Sequence, residues 1–221
     1  MTRLILLGTL FVALLPAKDL TADKRMQHAV NTLAKMAAAK DNGIPRALIG
    51  KAHCIVIVPG LLKGAFLFGG EYGRGFASCR KPGGWTAPAA VKIEGGSFGS
   101  QLGASSTDLI MLVMNRKRMA HLLSDRFMLG ADIAVVNGTA GRAASVNADP
   151  TGRASILTYS LAKGLFSGIS LEGATLHTDS RENQKLYGRP MNNKQILETR
   201  VATPPAARPL VLALNKLARR A

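Results

Sequence analysis

From Cys54 onward the chain is dominated by runs of β-branched and aromatic residues cut at short intervals by glycine: CIVIV, then AFLFGG, then FASC, with Pro59-Gly60 and Pro82-Gly83-Gly84 read as turns. Such runs make short strands joined by tight turns, and strands so joined are antiparallel neighbours. Further strands are predicted at Trp85–Ile93, Ser97–Leu102, Asp108–Met114, Ile133–Val136, Ile156–Tyr159 and Phe166–Leu171. A spacing of roughly 8 to 12 residues between so many strands predicts a curved sheet or barrel rather than a parallel α/β fold.

Ahead of the strands, Met26, Val30, Leu33 and Met36 or Ala37 recur at three- and four-residue spacing, so Asp19–Lys40 is predicted as an amphipathic helix. Gly43 and Pro45 stop it, and a second short helix is predicted over Arg46–Lys51. Arg116–Leu123 and Arg181–Leu186 are the other helical interruptions, and Pro209 stands where a helix over Leu210–Arg220 would start. The expected fold is therefore α+β: a glycine-rich, mainly antiparallel curved sheet or partial barrel, with the N-terminal amphipathic helix and a few short helices covering one side.

The charge is lopsided: 29 Lys and Arg face 13 Asp and Glu, a net +16 in 221 residues. An excess of this size favours a polyanionic partner. The opening MTRLILLGTLFVALLPA narrows the choice, because an early Arg3, an apolar run from Leu4 to Leu15 and small Ala17 read as a secretory signal peptide. The apolar run is shorter than the roughly 20 residues of a spanning helix, and export argues against a nucleic-acid partner. No Cys follows the run to carry a lipid. Cys54 and Cys79 are the two thiols, and an oxidising compartment permits a bridge between them, although each also fits as a small buried hydrophobe. His28, His53, His121 and His177 make no metal-ligand spacing, so neither a metal nor a cofactor is expected.

Gly95, Ser97 and Gly99 reproduce the G-x-S-x-G spacing of a hydrolase nucleophile elbow. An elbow needs a strand, a strained turn and then a helix. FGSQLGASS offers no helical face, and no His or Asp is selected among His121, His177, Asp108 and Asp132. Ser97 is therefore read as riding on a strand whose glycines bend and pack it. Glycines 69, 70, 73 and 75 match no phosphate-loop template and fit a hairpin or bulge, with Lys63, Arg74, Arg80 and Lys81 as nearby cations. Glu71, Glu94 and Glu172 show no sign of pairing for acid–base work; Glu94 and Glu172 are read as partners in turn hydrogen bonds or ion pairs.

The segments IPRALIGKAHCIVIVPGLLKGAFLFGGEYGRGFASCR, GGWTAPAAVKIEGGSFGSQLGASSTDLIMLVMN, LGADIAVVNG and LTYSLAKGLFSGISLEGATLHTD resemble, in order and wording, the SYLF domain family. The resemblance runs from about the first helix to Tyr187. It implies a domain without enzyme activity that binds phospholipids, including phosphoinositides and other anionic lipids, with some members also binding actin; bacterial relatives are exported, often as lipoproteins. It places the contact on the amphipathic N-terminal helix and a basic surface, which here correspond to Lys24–Lys40.

These readings divide the chain into a signal peptide (1–17), a lipid-binding domain (18–188) and a basic C-terminal tail (189–221). From Arg181 to the end nine Lys or Arg face two acids, and both a docked helix and a membrane-surface anchor remain open for the tail. The expected function is non-catalytic binding of anionic phospholipid by an exported, periplasmic or cell-envelope protein. The expected contacts are Lys24, Arg25, Lys35, Lys40, Arg46, Lys51, Lys63 and Arg74. Two other classes are a serine hydrolase using Ser97, and an envelope scaffold that binds a protein partner or an acidic polymer.

Overall fold

The computed structural model describes residues 21–39, 43–66, 68–97, 103–115, 124, 126–129, 133–135, 156–162, 165–166, 171, 173–199 and 201–219. The signal-like segment, Lys40, the helix predicted over Arg116–Leu123, His121, Asp132, Glu172 and most of Ser97–Leu102 lie outside these residues.

Helix α1 (Ala22–Ala38) begins where Thr21 caps it, its side chain accepting from Lys24 N, and α2 (Arg46–Lys51) follows. Strands β1 (Cys54–Phe66) and β2 (Phe68–Lys81) form one long hairpin. Then come β3 (Gly84–Trp85), β4 (Ala89–Ser97), β5 (Gly103–Val113), β6 (Arg126–Met128), β7 (Ile133–Val135), β8 (Ile156–Ala162), β9 (Leu165–Phe166) and β10 (Thr175–Thr178). Helices α3 (Ser180–Tyr187), α4 (Asn193–Glu198) and α5 (Arg208–Arg219) close the chain, α5 entered through a 3-10 turn at Pro205–Ala207.

The strands pair in the order β6-β10-β4-β2-β1-β5-β8-β7, with β3 beside β2 and β9 beside β8. The sheet is open, and every pairing is antiparallel except β7 with β8. The fold is thus the expected α+β class. Two readings need correcting. Pro59-Gly60 makes no turn: β1 runs through it with a register shift against both neighbours, a bulge in which Gly60 takes φ 62° and its N–H donates to Asp108 Oδ1 at 2.9 Å. Proline is tolerated there because a bulge leaves ladder hydrogen bonds unmade.

The helices also cover both faces of the sheet, not one. Alternate residues of β1 point opposite ways: Ile55 and Ile57 join Met26, Leu33 and Met36 of α1, Ile49 of α2 and Leu210 and Leu214 of α5 in one core. Cys54, Val56 and Val58 join Ile196 and Leu197 of α4 in the other. A central strand that is apolar on both sides needs cover on both. The segment after Gly188 supplies part of each core, so the C-terminal helix is docked on the domain. Among the described residues no helix is long and apolar enough to cross a membrane.

Candidate functional site

Three helices, α1, α2 and α5, lie side by side on one face of the sheet, their apolar sides packed into the same core. What they turn outward is basic. Lys24 and Lys35 on α1, Arg46 and Lys51 on α2, and Arg208, Lys216 and Arg219 on α5 are all exposed, and the single acid in the three helices is Asp23. Four of the eight expected contact residues, Lys24, Lys35, Arg46 and Lys51, thus share this layer. Three further cations of the layer, on α5, were not among the expected contacts; the signal was there in the alternation of apolar and basic residues in RPLVLALNKLAR.

Three of the other expected contacts sit elsewhere, Lys40 lying outside the described residues. Arg25 is buried and Arg74 half-buried, and both are taken up in ion pairs rather than turned outward toward a lipid surface. Arg25 pairs with Glu182 of α3, while Arg74 Nε donates to Asp179 Oδ2 at 2.6 Å and its Nη2 to Glu182 Oε2 at 3.0 Å. The Glu182 side chain is only 2% exposed. Two guanidinium groups and two carboxylates thus satisfy one another where unpaired charge would be costly, and the network ties α1 and β2 to the start of α3. Asp179 also caps α3, its Oδ1 accepting from Glu182 N at 3.1 Å. Lys63 pairs with Glu71 at 2.8 Å, and, two residues on from Leu61, it belongs to the face opposite the helical layer.

The glycine-rich strands carry no catalytic geometry among the described residues. Ser97 ends β4, and the next described element is another strand, β5, where an elbow requires a helix. A Cβ on Gly95 would stand 3.0 Å from Ala174 Cα and Cβ, so this glycine serves close packing. Asp108 is used by the β1 bulge, and His177 stands 3.6 Å from Glu94, whose other oxygen accepts from Lys92 Nζ at 2.8 Å. Burial lowers the His177 pKa from its ordinary value, only partly opposed by Glu94. Glu94 is thus the ion-pair partner expected of it. The described residues contain no group of three metal-ligating side chains. Cys54 and Cys79 face each other in register on β1 and β2 and form a disulfide.

A protein family described as "Ysc84: Las17-binding protein actin regulator" matches residues 94–217, more than half of the chain. The chain belongs to the Ysc84 family, the family of the SYLF domain. Protein YSC84 of Saccharomyces cerevisiae is 34% identical over 183 residues, covering 80% of this chain and 39% of the yeast protein. An SH3 domain-containing protein of Schizosaccharomyces pombe is 36% identical over 177 residues (78% and 41%), and the bovine SH3 domain-containing YSC84-like protein 1 is 32% identical over 177 (79% and 52%). The chain thus spans about two fifths to one half of these relatives. The family match also runs past Tyr187, through α4 and nearly all of α5.

Proposed function

We propose that this chain is a non-catalytic module of an exported protein that binds anionic phospholipid at a membrane surface, through the basic layer formed by α1, α2 and α5. The observation that carries the reading is the concentration of seven exposed cations against one acid on a single helical layer. Each Lys or Arg near an anionic leaflet contributes about 1 kcal/mol, so a few acting together give useful, salt-sensitive binding. Because Met26, Leu33 and Met36 are held in the core, α1 contributes head-group contacts rather than an inserted apolar face. A disulfide between the two cysteines and a signal-like N-terminus support export to a periplasm or cell envelope.

Co-sedimentation with vesicles tests this. Binding is expected to vesicles containing anionic lipid, to weaken as salt rises, and to be lost on neutral vesicles. Equal binding to neutral vesicles at every salt concentration overturns it. The family description favours a second reading, in which the same basic layer contacts an acidic protein such as an actin filament. Co-sedimentation with filaments, against no binding to anionic vesicles, would select it.

A further inference from the structure

Helix α5 is built in two halves. Leu210 and Leu214 are buried against α1 and α2, and Asn215 fixes the helix to β3, its Oδ1 accepting from Trp85 N at 3.1 Å. The opposite side carries Arg208, Leu212 and Lys216 at four-residue intervals, with Arg219 one turn further along the same stripe. All four are exposed, and Leu212, at 68%, is among the most exposed large apolar side chains of the described residues. Leu212, Asn215, Lys216 and Arg219 border an open depression. The helix has no acid, and none of its three cations makes an ion pair among the described residues.

A leucine held out into water with a cation one turn before it and another one turn after it matches a surface that is negative outside and apolar beneath. An anionic bilayer has that layering. A second copy of the same basic stripe would be repelled, and a soluble acidic polymer would leave the leucine wet. Resting on the lipid-binding reading above, we infer that α5 is the element that sits on the membrane, with Leu212 entering the acyl boundary between head groups held by Arg208, Lys216 and Arg219. This fixes which way up the module docks: α5 lies along the bilayer while the sheet stands behind it. The packed side of α5 keeps Leu212 in place without unfolding, so contact needs no rearrangement of the core.

The test uses the whole chain with vesicles of mixed phosphatidylglycerol and phosphatidylcholine, and with phosphatidylcholine alone. The natural sequence has one Trp, Trp85, which is buried, so Leu212→Trp adds a reporter over a quiet background. Its emission is expected to shift to the blue on anionic vesicles and to be quenched by lipids brominated near the head of the acyl chain. Leu212→Ser is expected to weaken vesicle binding roughly ten-fold, and Arg208→Gln with Lys216→Gln by a similar or larger factor, with unchanged melting temperatures for all three. Should the unaltered protein bind while Leu212→Trp stays unshifted and Leu212→Ser binds as well as the parent, α5 is not the contact and only this inference falls. If the unaltered protein does not bind anionic vesicles, the lipid reading falls with it. A concentration-dependent dimer in solution that Leu212→Ser abolishes would assign the stripe to self-association and overturn the proposal.

Discussion

Glu182 ties three elements together through one buried carboxylate. It accepts from Arg25 of α1 and Arg74 of β2, and its backbone N–H is held by Asp179. Glu182→Gln keeps the shape but removes the carboxylate that Arg25 and Arg74 share. A loss of about 3 kcal/mol is expected from breaking a buried pair on one side, measurable as a lower midpoint in urea. An unchanged midpoint would mean that water already compensates the pair. Tyr159 gives a pH dependence of definite sign. Burial raises its phenol pKa from 10.0 to about 12, and Tyr187, whose hydroxyl donates to Pro88 O, is raised in the same direction. The unfolded chain therefore releases these protons first, so this part of the stability is complete below pH 10 and is lost as pH rises toward 12. Tyr159→Phe is expected to flatten that alkaline decline. At this scale the sequence was half legible. Cations could be counted, but exposed ones were not separated from paired ones. Yet Arg25 stands four residues before Ala29 and eleven before Met36, on the buried stripe of α1, and the D-x-x-E of Asp179 and Glu182 marks a helix start beside it. What no local pattern gives is that residues 157 apart would meet.

Among elements, the hairpin of β1 and β2 holds the middle of the sheet, and two features lock it. The Cys54–Cys79 disulfide joins strands already in register and closes a separation of 25 residues. Chain-entropy arguments put the stabilisation at about 3.5 kcal/mol for a loop of this length. Cys54→Ala with Cys79→Ala is expected to lower stability by about that amount without altering the fold, and thermal melts with and without reductant on the natural protein should agree in direction. The second lock is the bulge at Pro59-Gly60, which presses β1 against β2. A Cβ on Gly75 would collide with the Ile57 carbonyl oxygen and lie 2.8 Å from Val58 Cα. Because those are backbone atoms that cannot swing aside, Gly75→Ala is expected to cost at least about 3 kcal/mol, at the upper end of overpacking. A soluble variant with an unchanged melting temperature would contradict this. The glycines were visible in the sequence and their use in packing or bulges was readable. Their place was not, since the bulge that demands Gly73 and Gly75 lies on the facing strand and looked like a turn. Strands β6 and β10 are not legible for a different reason: Arg126–Met128 and Thr175–Thr178 are too short to show an alternation, and they are fixed by pairing, β10 with β4 and β6 with β10.

For the whole molecule, what matters is how charge is distributed over a sheet sheathed on both faces. The net +16 says nothing of direction. Direction comes from the fold, which gathers α1, α2 and α5 on one side and leaves α4, with Lys194 and Glu198 exposed, on the other. The exposed cations of α1, α2 and α5 belong to helices whose apolar faces are anchored, so the layer presents its charge at fixed positions rather than on mobile arms. A rigid array of this kind should weaken with each cation removed, on α1 and α2 as well as on α5. Replacing Lys24, Lys35, Arg46 and Lys51 by Gln lowers the layer from seven exposed cations to three. At about 1 kcal/mol for each charge lost near the leaflet, binding to anionic vesicles is expected to fall by on the order of a hundred- to a thousand-fold. The dependence on salt should become shallower in the same measurement, because fewer fixed charges remain to be screened. Removing four exposed cations outside these three helices instead, Arg126, Lys185, Arg189 and Lys194, lowers the net charge equally and should leave most of the binding in place. Equal losses from the two sets would show that net charge alone draws the protein to a surface and that the helical layer has no special part.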